Sequence, residues 1–394
     1  MAAHKYGITD FQYIAAGAAI LASGGGGSYS DAVNVIEELA DSGWSGSVQV
    51  QDYDGATNCC VLALIGSPNA AQNLTLADVE CSIANTISLI KTASGVTPGC
   101  VIPVEIGPLN SIVPLIAAAL SNNTLWVVNG DGAGRAVPEL PQTTYSGSAI
   151  LVPSPCALAN NAPASTTLQS ATLNANTAAQ IESLAGGIVA AFGSFSGIAL
   201  WSSNQGNSYA LTGNYIAGTL TQAWTLGQLM LTAPSPLSTA EVTAQIMAIT
   251  GRKAAATLSN FYITAVTQST TSASLDTGII RLDNSLEQSA STETHYIYNL
   301  NENLIMYSSL SNVPDIIAPD SICYYSESTG LGFSNASDDL AVYFYSSTGK
   351  STGKAVSIIK LDAAQQFYQA AGVVASFASL LRNIGYAGAL PYAG

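Results

Sequence analysis

Charge is what this 394-residue chain has least of: Asp, Glu, Lys and Arg make up 9% of it, with ten Lys and Arg against 25 Asp and Glu. Ten basic residues cannot build the clustered positive surface that nucleic acid or an anionic membrane requires, so neither is expected as a partner. The formal net charge of −15 points the same way. Histidine is scarcer still, at two, and the six cysteines (Cys59, Cys60, Cys81, Cys100, Cys156, Cys323) form no C-x-x-C. A zinc site at ordinary ligand spacing is therefore not expected, and no disulfide framework follows. Adjacent Cys59 and Cys60 stand in an apolar run and read as buried thiols of a strand. Long apolar runs are missing too. Tyr13 to Ala22 is too short to span a bilayer and lacks the flanks of a signal peptide, so it reads as a helix. Cytoplasmic residence is the default expectation, with export by a non-standard route left open.

What is present is ample material for a core. Hydrophobic residues make up 48% of the chain and glycines number 35, a globular composition. The length favours two domains. With so little charge, the surface must be covered by Ser, Thr, Asn, Gln and Tyr, a composition common among secreted, acid-exposed and self-assembling proteins.

Periodicity orders the elements. Thr9-Asp10 reads as a cap before a helix, followed by Ser23-Gly24-Gly25-Gly26-Gly27-Ser28 and a second helix from Tyr29 to Leu39. Such a loop offers free backbone N–H groups at a helix start, suited to an anionic or carbonyl-bearing ligand; a flexible corner is the plain alternative. Val48–Val50 and Cys60–Ile65 read as strands, and Leu76 to Ala93 as a helix. The strand from Cys100 to Gly107, the apolar helix from Asn110 to Leu120 and the strand Leu125–Val128 form a βαβ unit with parallel neighbours. That geometry places Glu105 and Asn110 at the sheet edge that also carries Asn129-Gly-Asp131-Gly-Ala-Gly-Arg135-Ala-Val-Pro-Glu139. Three charged side chains in this glycine-rich bend stand out in a chain so poor in charge. They read either as a ligand site at strand ends or as an Arg135 pair with Asp131 or Glu139 that locks the loop.

The proline-broken stretch from Ser148 to Ala175 reads as a domain boundary. The expected organisation is an α/β domain over 1–160 and a second domain over 161–394. Short β-branched and aromatic runs from Ala255 to Ile359 make the second domain β-rich. Asp362 to Ile384 closes it as an apolar helix, followed by a Gly/Ala/Pro/Tyr tail that offers itself as a contact arm. The fold class is thus an α/β N-terminal domain with a largely parallel sheet, then a β-rich α+β second domain and a C-terminal helix.

Five segments in register carry a resemblance to a known family: Ala19 to Gly27, Pro103 to Ser111, Asn129 to Leu140, Ile216 to Ala223, and Asn301 to Leu304 with Val313 to Ile317. They resemble the S-methyl thiohydantoin desulfurase family, which is associated by context with hydantoinases and oxoprolinases. The resemblance spans the chain to about residue 345. Two positions depart from the family pattern: Pro108 stands where glycine is usual, and Asn129 where an acid is usual. If an acid at 129 is catalytic in active members, this chain binds its ligand without turning it over.

Hydrolysis of such a ring needs a base for water, a group to carry developing charge, and polar groups to hold the ring amides. Asp131 or Glu105 is the expected base, Arg135 the charge stabiliser and Glu139 its orienter. Asn110, Asn129 and the N–H groups of Gly24, Gly25, Gly26 and Gly27 are the expected ring clamp. Glu105, Asp131 and Glu139 could offer oxygen ligands to Mg²⁺ or Mn²⁺, and His295 a nitrogen, but the spacing matches no metal motif and the cofactor stays unassigned. His295 reads better as a surface strand residue. Glu302 and Asp315 read as turn residues, although the resemblance admits Glu302 to the pocket. The competing reading is a catalytically silent relative recruited as a homo-oligomeric filament, crystal or coat, since low charge removes repulsion between copies.

Overall fold

The computed structural model describes residues 4–71 and 73–392. The chain opens with β1 (His4–Tyr6), α1 (Ile8–Leu21), α2 (Tyr29–Asp41), β2 (Val48–Gln51), β3 (Cys59–Gly66), α3 (Leu76–Ser94), β4 (Cys100–Pro103), α4 (Val113–Leu120), β5 (Trp126–Val128) and β6 (Gly130–Asp131). Next come β7 (Cys156–Ala159), β8 (Ser170–Leu173), α5 (Ala178–Ala191), β9 (Phe195–Ser203), β10 (Ile216–Ala217), α6 (Thr219–Thr232) and α7 (Thr239–Thr250). Then follow β11 (Ala254–Thr270), β12 (Asp276–Asp283), β13 (Thr294–Leu300), β14 (Glu302–Ser308), β15 (Pro314–Ile317) and β16 (Ser321–Tyr325). The last elements are α8 (Ser337–Leu340), β17 (Phe344–Tyr345), β18 (Lys350–Ser351), β19 (Val356–Leu361), α9 (Gln365–Gln369) and α10 (Val373–Asn383).

The first domain is an α/β unit on an eight-stranded sheet of order β1-β2-β5-β4-β3-β9-β7-β8. Its centre, β2-β5-β4-β3, is parallel, with antiparallel strands on both flanks. The βαβ unit of β4, α4 and β5 forms as expected, because Val113 to Ala118 bury one continuous apolar surface against the sheet. Cys59 and Cys60 are buried thiols in β3. Helix α1 starts earlier than its Thr9-Asp10 signal suggests: Gly7 is the cap residue and Asp10 reaches back to accept its N–H at 2.9 Å. Helices α1 and α6 cross at backbone contact. A Cβ on Gly17 would lie 1.9 Å from the Ala223 carbonyl oxygen, and one on Gly227 would lie 1.8 Å from that of Tyr13.

The sheet does not end at residue 160. Strands β8 and β9 join it, and α5 packs Ile181, Ala185 and Val189 into the same core as Leu151, Cys156 and Leu158. Prolines and polar residues break local structure between 148 and 175, but they do not decide whether the chain leaves the sheet. Its buried apolar residues bring it back.

The second domain is an antiparallel seven-stranded sheet of order β15-β14-β13-β12-β11-β19-β16. The closing helix is divided by Gly372, at φ +81°, into α9 and α10. The tail folds back, with Leu390 buried beside Phe367 and Phe377 and the Tyr392 hydroxyl donating to the Ala318 carbonyl at 2.8 Å. Up to Tyr392 it is therefore committed to its own domain and is no free arm. Among the described residues no helix is long and apolar enough to cross a membrane.

Candidate functional site

A cavity of about 100 Å³ opens at the carboxyl ends of the parallel strands β3 and β4, and the turn between β13 and β14 closes it from the second domain. This is where ligands sit in open α/β sheets. Its walls are apolar, with Leu64, Ile65, Leu109, Leu140 and Phe195 among them, and four carboxyl groups line it: Glu105, Glu139, Glu182 and Glu302. No Lys, Arg or His among the described residues lines it.

Glu105 leaves the end of β4 and is 5% exposed. Its Oε1 accepts from Asn110 Nδ2 at 2.8 Å and its Oε2 from the Val137 N–H at 2.7 Å. Asn110 is in turn fixed through Oδ1, which accepts the Leu64 N–H at 3.0 Å. Burial pushes Glu105 up to about 7, against the opposing pull of these donors. Glu302 enters from the other domain, at the start of β14, and is 3% exposed. Its Oε1 accepts the Gly26 N–H at 3.3 Å, while Oε2 is enclosed and receives no hydrogen bond. Burial and the neighbouring Glu105 push its carboxyl well above the ordinary range. Of the two buried carboxyl groups, Glu302 is thus held further above the ordinary carboxylate range than Glu105.

The glycine corner serves this meeting of domains differently from expectation. A Cβ on Gly26 would lie 2.3 Å from the Cα of Gly107, and one on Gly25 would lie 1.9 Å from Glu302 Oε1. These glycines let two loops and a carboxylate pack backbone to backbone. Gly26 and Gly27 line the cavity, whereas Gly24 and Gly25 face Asn303, Asn335 and Glu302. The start of α2 is also taken. Asp339 accepts the N–H groups of Tyr29 and Ser30, both at 3.0 Å, so the positive end of that helix dipole holds the protein's own carboxylate and no ligand.

No residue from Asp131 to Arg135 lines the cavity. Asp131, fully buried, accepts the N–H groups of Ala133 and Gly134 and shapes the turn. Arg135, also fully buried, donates to four carbonyl oxygens: those of Ala136, Pro319, Asp320 and Asn303, at 2.8 to 3.0 Å. It pairs with neither Asp131 nor Glu139, so it is neither an open charge stabiliser nor the loop lock the sequence suggested. It ties the first domain to the second. Only the later part of the bend, from Val137 to Glu139, reaches the cavity. Asn129 is also elsewhere: its Oδ1 accepts the Thr221 N–H at 3.2 Å at the start of α6, and its carbonyl accepts the Gly218 N–H at 2.8 Å.

Glu139 accepts from Gln142 Nε2 at 3.1 Å, and Glu182 on α5 accepts the Leu140 N–H at 2.9 Å. Burial raises both carboxyls, Glu182 to about 7. Glu182 has no motif around it, and it stands on α5, which packs in the core of the first sheet. Glu302, read as a turn residue, does have a signal: it is an acid two residues before the apolar run Leu304-Ile305-Met306. His295 is buried, not a surface residue, with Nδ1 3.1 Å from Asp315 and Nε2 2.8 Å from Glu293. Asp315 is thus its partner in β15 and no turn cap. No group of three or more His, Cys, Asp or Glu among the described residues stands close enough to hold a metal ion.

The fold and site define an α/β protein whose β-rich second domain closes a carboxyl-lined cleft. Residues 9–170 match the domain described as S-Me-THD-like, N-terminal, and residues 176–375 match S-Me-THD-like, C-terminal. The chain belongs to the S-Me-THD-like family. It is similar to the crystal structure of a protein from Chromobacterium violaceum, with 25% identity and a TM-score of 0.76 over 99% of each chain. No curated protein matches it.

Proposed function

We propose that the cleft hydrolyses an S-methyl thiohydantoin-like five-membered ring, with Glu105 as base and Glu302 as acid. Family membership supports the ring class, and the observation that carries the mechanism is the split pair of carboxyl groups, one held by two donors and one with a free buried oxygen. Glu105 takes a proton from water as its oxygen attacks the ring carbon bearing sulfur. Glu302 donates a proton as the C–S bond breaks and methanethiol leaves. The new C–O bond becomes the ring carbonyl, the second water proton ends on ring nitrogen, and proton return between the two carboxyl groups resets them. Asn110 orients Glu105, Gly26 orients Glu302, and Arg135 is a positioning residue whose buried charge favours the ionised forms of both acids.

The assembly-protein reading is not favoured. A building block gains nothing from buried carboxyl groups with unfilled hydrogen-bonding capacity, which cost stability. The test is methanethiol release from 5-substituted S-methyl thiohydantoins, followed with a thiol reagent. Activity should rise with pH through about 7 as Glu105 ionises. E105Q and E302Q should each abolish release while keeping the wild-type circular dichroism spectrum. Wild-type rates in either variant would remove that residue from the mechanism.

A further inference from the structure

The Glu302 carboxyl is held by a single long hydrogen bond from the Gly26 N–H at 3.3 Å. Its placement therefore depends on the backbone at either side and on the glycine corner that supplies the donor. One buried side chain grips all three. Asn335, in the loop before α8, donates through Nδ2 to the Asn301 carbonyl at 2.8 Å and to Asn303 Oδ1 at 2.9 Å, so one amide spans Glu302 from the residue before it to the residue after it. The Asn335 N–H donates to the Gly24 carbonyl at 2.8 Å, two residues before the Gly26 donor. Asn335 is fixed in turn: its Oδ1 accepts the Tyr324 hydroxyl at 3.0 Å and its carbonyl accepts Gln268 Nε2 at 2.9 Å. Asn303 completes the clip, with its N–H donating to the Ser23 carbonyl at 2.8 Å and Nδ2 to the Ile322 carbonyl at 3.0 Å. There is no room for a side chain at position 24, where a Cβ would lie 2.6 Å from Asn303 Nδ2 and 2.8 Å from Asn335 Nδ2. Asn301 and Ser23 are both held left-handed, at φ +53° and +55°. Strain of this kind persists only where the surroundings over-determine it, and it gathers at functional sites.

We propose that Asn335 is the positioning residue for Glu302, setting where that acid lies against the ring. This rests on the ring-hydrolase reading for what Glu302 does; the clip around Glu302 does not depend on it. Asn335 does not line the cavity, so its effect on the reaction passes through the Asn301 carbonyl, the Asn303 amide and the Gly24 carbonyl. A general acid works only when its proton is aligned with the departing atom in the transition state, and a misplacement of about 1 Å costs roughly a hundredfold. Binding of the ring draws on the whole cavity wall and senses such a shift far less. The signature of a positioning residue here is therefore a loss in kcat with KM little changed.

The experiment compares N335A, Y324F and Y325F in the full chain. Tyr324 and Tyr325 are adjacent and buried, and both donate a hydroxyl: Tyr324 to Asn335 and Asn303, Tyr325 to the carbonyl of Leu237, which does not line the cavity. Each Tyr→Phe change removes the same group from the same strand, so membership of the clip is what separates them. Methanethiol release gives kcat and KM. NMR of protein isotopically labelled at the glutamate carboxyl carbon, with the Glu302 line assigned by its absence in E302Q, reads the setting of that carboxyl without any ring. N335A should lower kcat about a hundredfold and Y324F about tenfold, with KM within about twofold in both. Both should move or broaden the Glu302 line, while Y325F should match wild type in kcat and in that line. Should N335A fail to fold, the Y324F and Y325F pair decides the matter. Equal kcat in Y324F and Y325F, with the Glu302 line unmoved, would overturn the positioning role and leave the ring chemistry standing. A Glu302 line moved by Y324F but not by Y325F, in protein that turns over no ring, would sustain the clip and sink the ring reading. Inert rings together with an unmoved line would overturn both.

Discussion

Two regions of this molecule bury charged side chains, and they balance them in opposite ways. In the bend from Asp131 to Arg135 every charge is matched: Asp131 by two turn N–H groups, Arg135 by four carbonyl oxygens from both domains. In the cavity the acids are only partly matched, and Glu302 Oε2 has no donor. A satisfied buried charge is a structural clamp, while a buried polar atom without a partner is a cost the fold sustains for another purpose. The region richest in motif is therefore a clamp between the two domains.

The sharpest way to break that comparison is R135A. It should strand carbonyl oxygens of Pro319, Asp320 and Asn303 and cost about 3–5 kcal/mol, read as a lower urea midpoint. R135K should recover little, since a single ammonium cannot reach four divergent acceptors. A variant of normal stability but no activity would return Arg135 to the chemistry. Next, E302Q should lower methanethiol release by about 10²–10⁴-fold, the range of a lost general acid, with stability equal to or above wild type because a buried carboxyl is removed. A marked loss of stability would make Glu302 a clamp like Arg135.

The pH dependence of stability follows from the raised acids. Glu105 and Glu182 titrate near 7 in the folded protein but in the ordinary carboxyl range when unfolded. The folded state therefore binds more protons in between. The stability tied to these groups is fully present below the unfolded value and is lost as pH rises through about 7. The melting temperature should fall from pH 4.5 to pH 8, and the E105Q/E182Q double variant should flatten that slope. An unchanged slope would deny the burial of these charges.

A smaller effect is expected of D339A, which uncovers the start of α2 and should cost about 1–2 kcal/mol in the urea midpoint. No change would mean solvent replaces the carboxylate there. The smallest is N129D. Asn and Asp cap helices equally well, so stability should shift by no more than roughly 0.5 kcal/mol and activity should hold. A large gain in activity would place position 129 in the chemistry after all, against its position at the start of α6.

Much of the fold was legible from the residues. Period-2 and period-3.6 patterns are local, so the parallel β4-α4-β5 unit, the buried Cys59-Cys60 strand and the β-rich character of the second domain followed directly from them. The five segments in register likewise carried the family. The expectation of no polyanion partner came from composition, because ten basic residues are a count and need no geometry. What the sequence alone could not determine is which way each polar side chain faces and what it meets at sequence separations of 168 to 310 residues. Glu302 completes a cavity begun by Glu105, and Asp339 fills the helix start that the glycine corner seemed to hold open. Arg135 spends its donors on Pro319, Asp320 and Asn303. These are long-range matches between backbone groups and charges, and only the packed domains bring the two members of each match together.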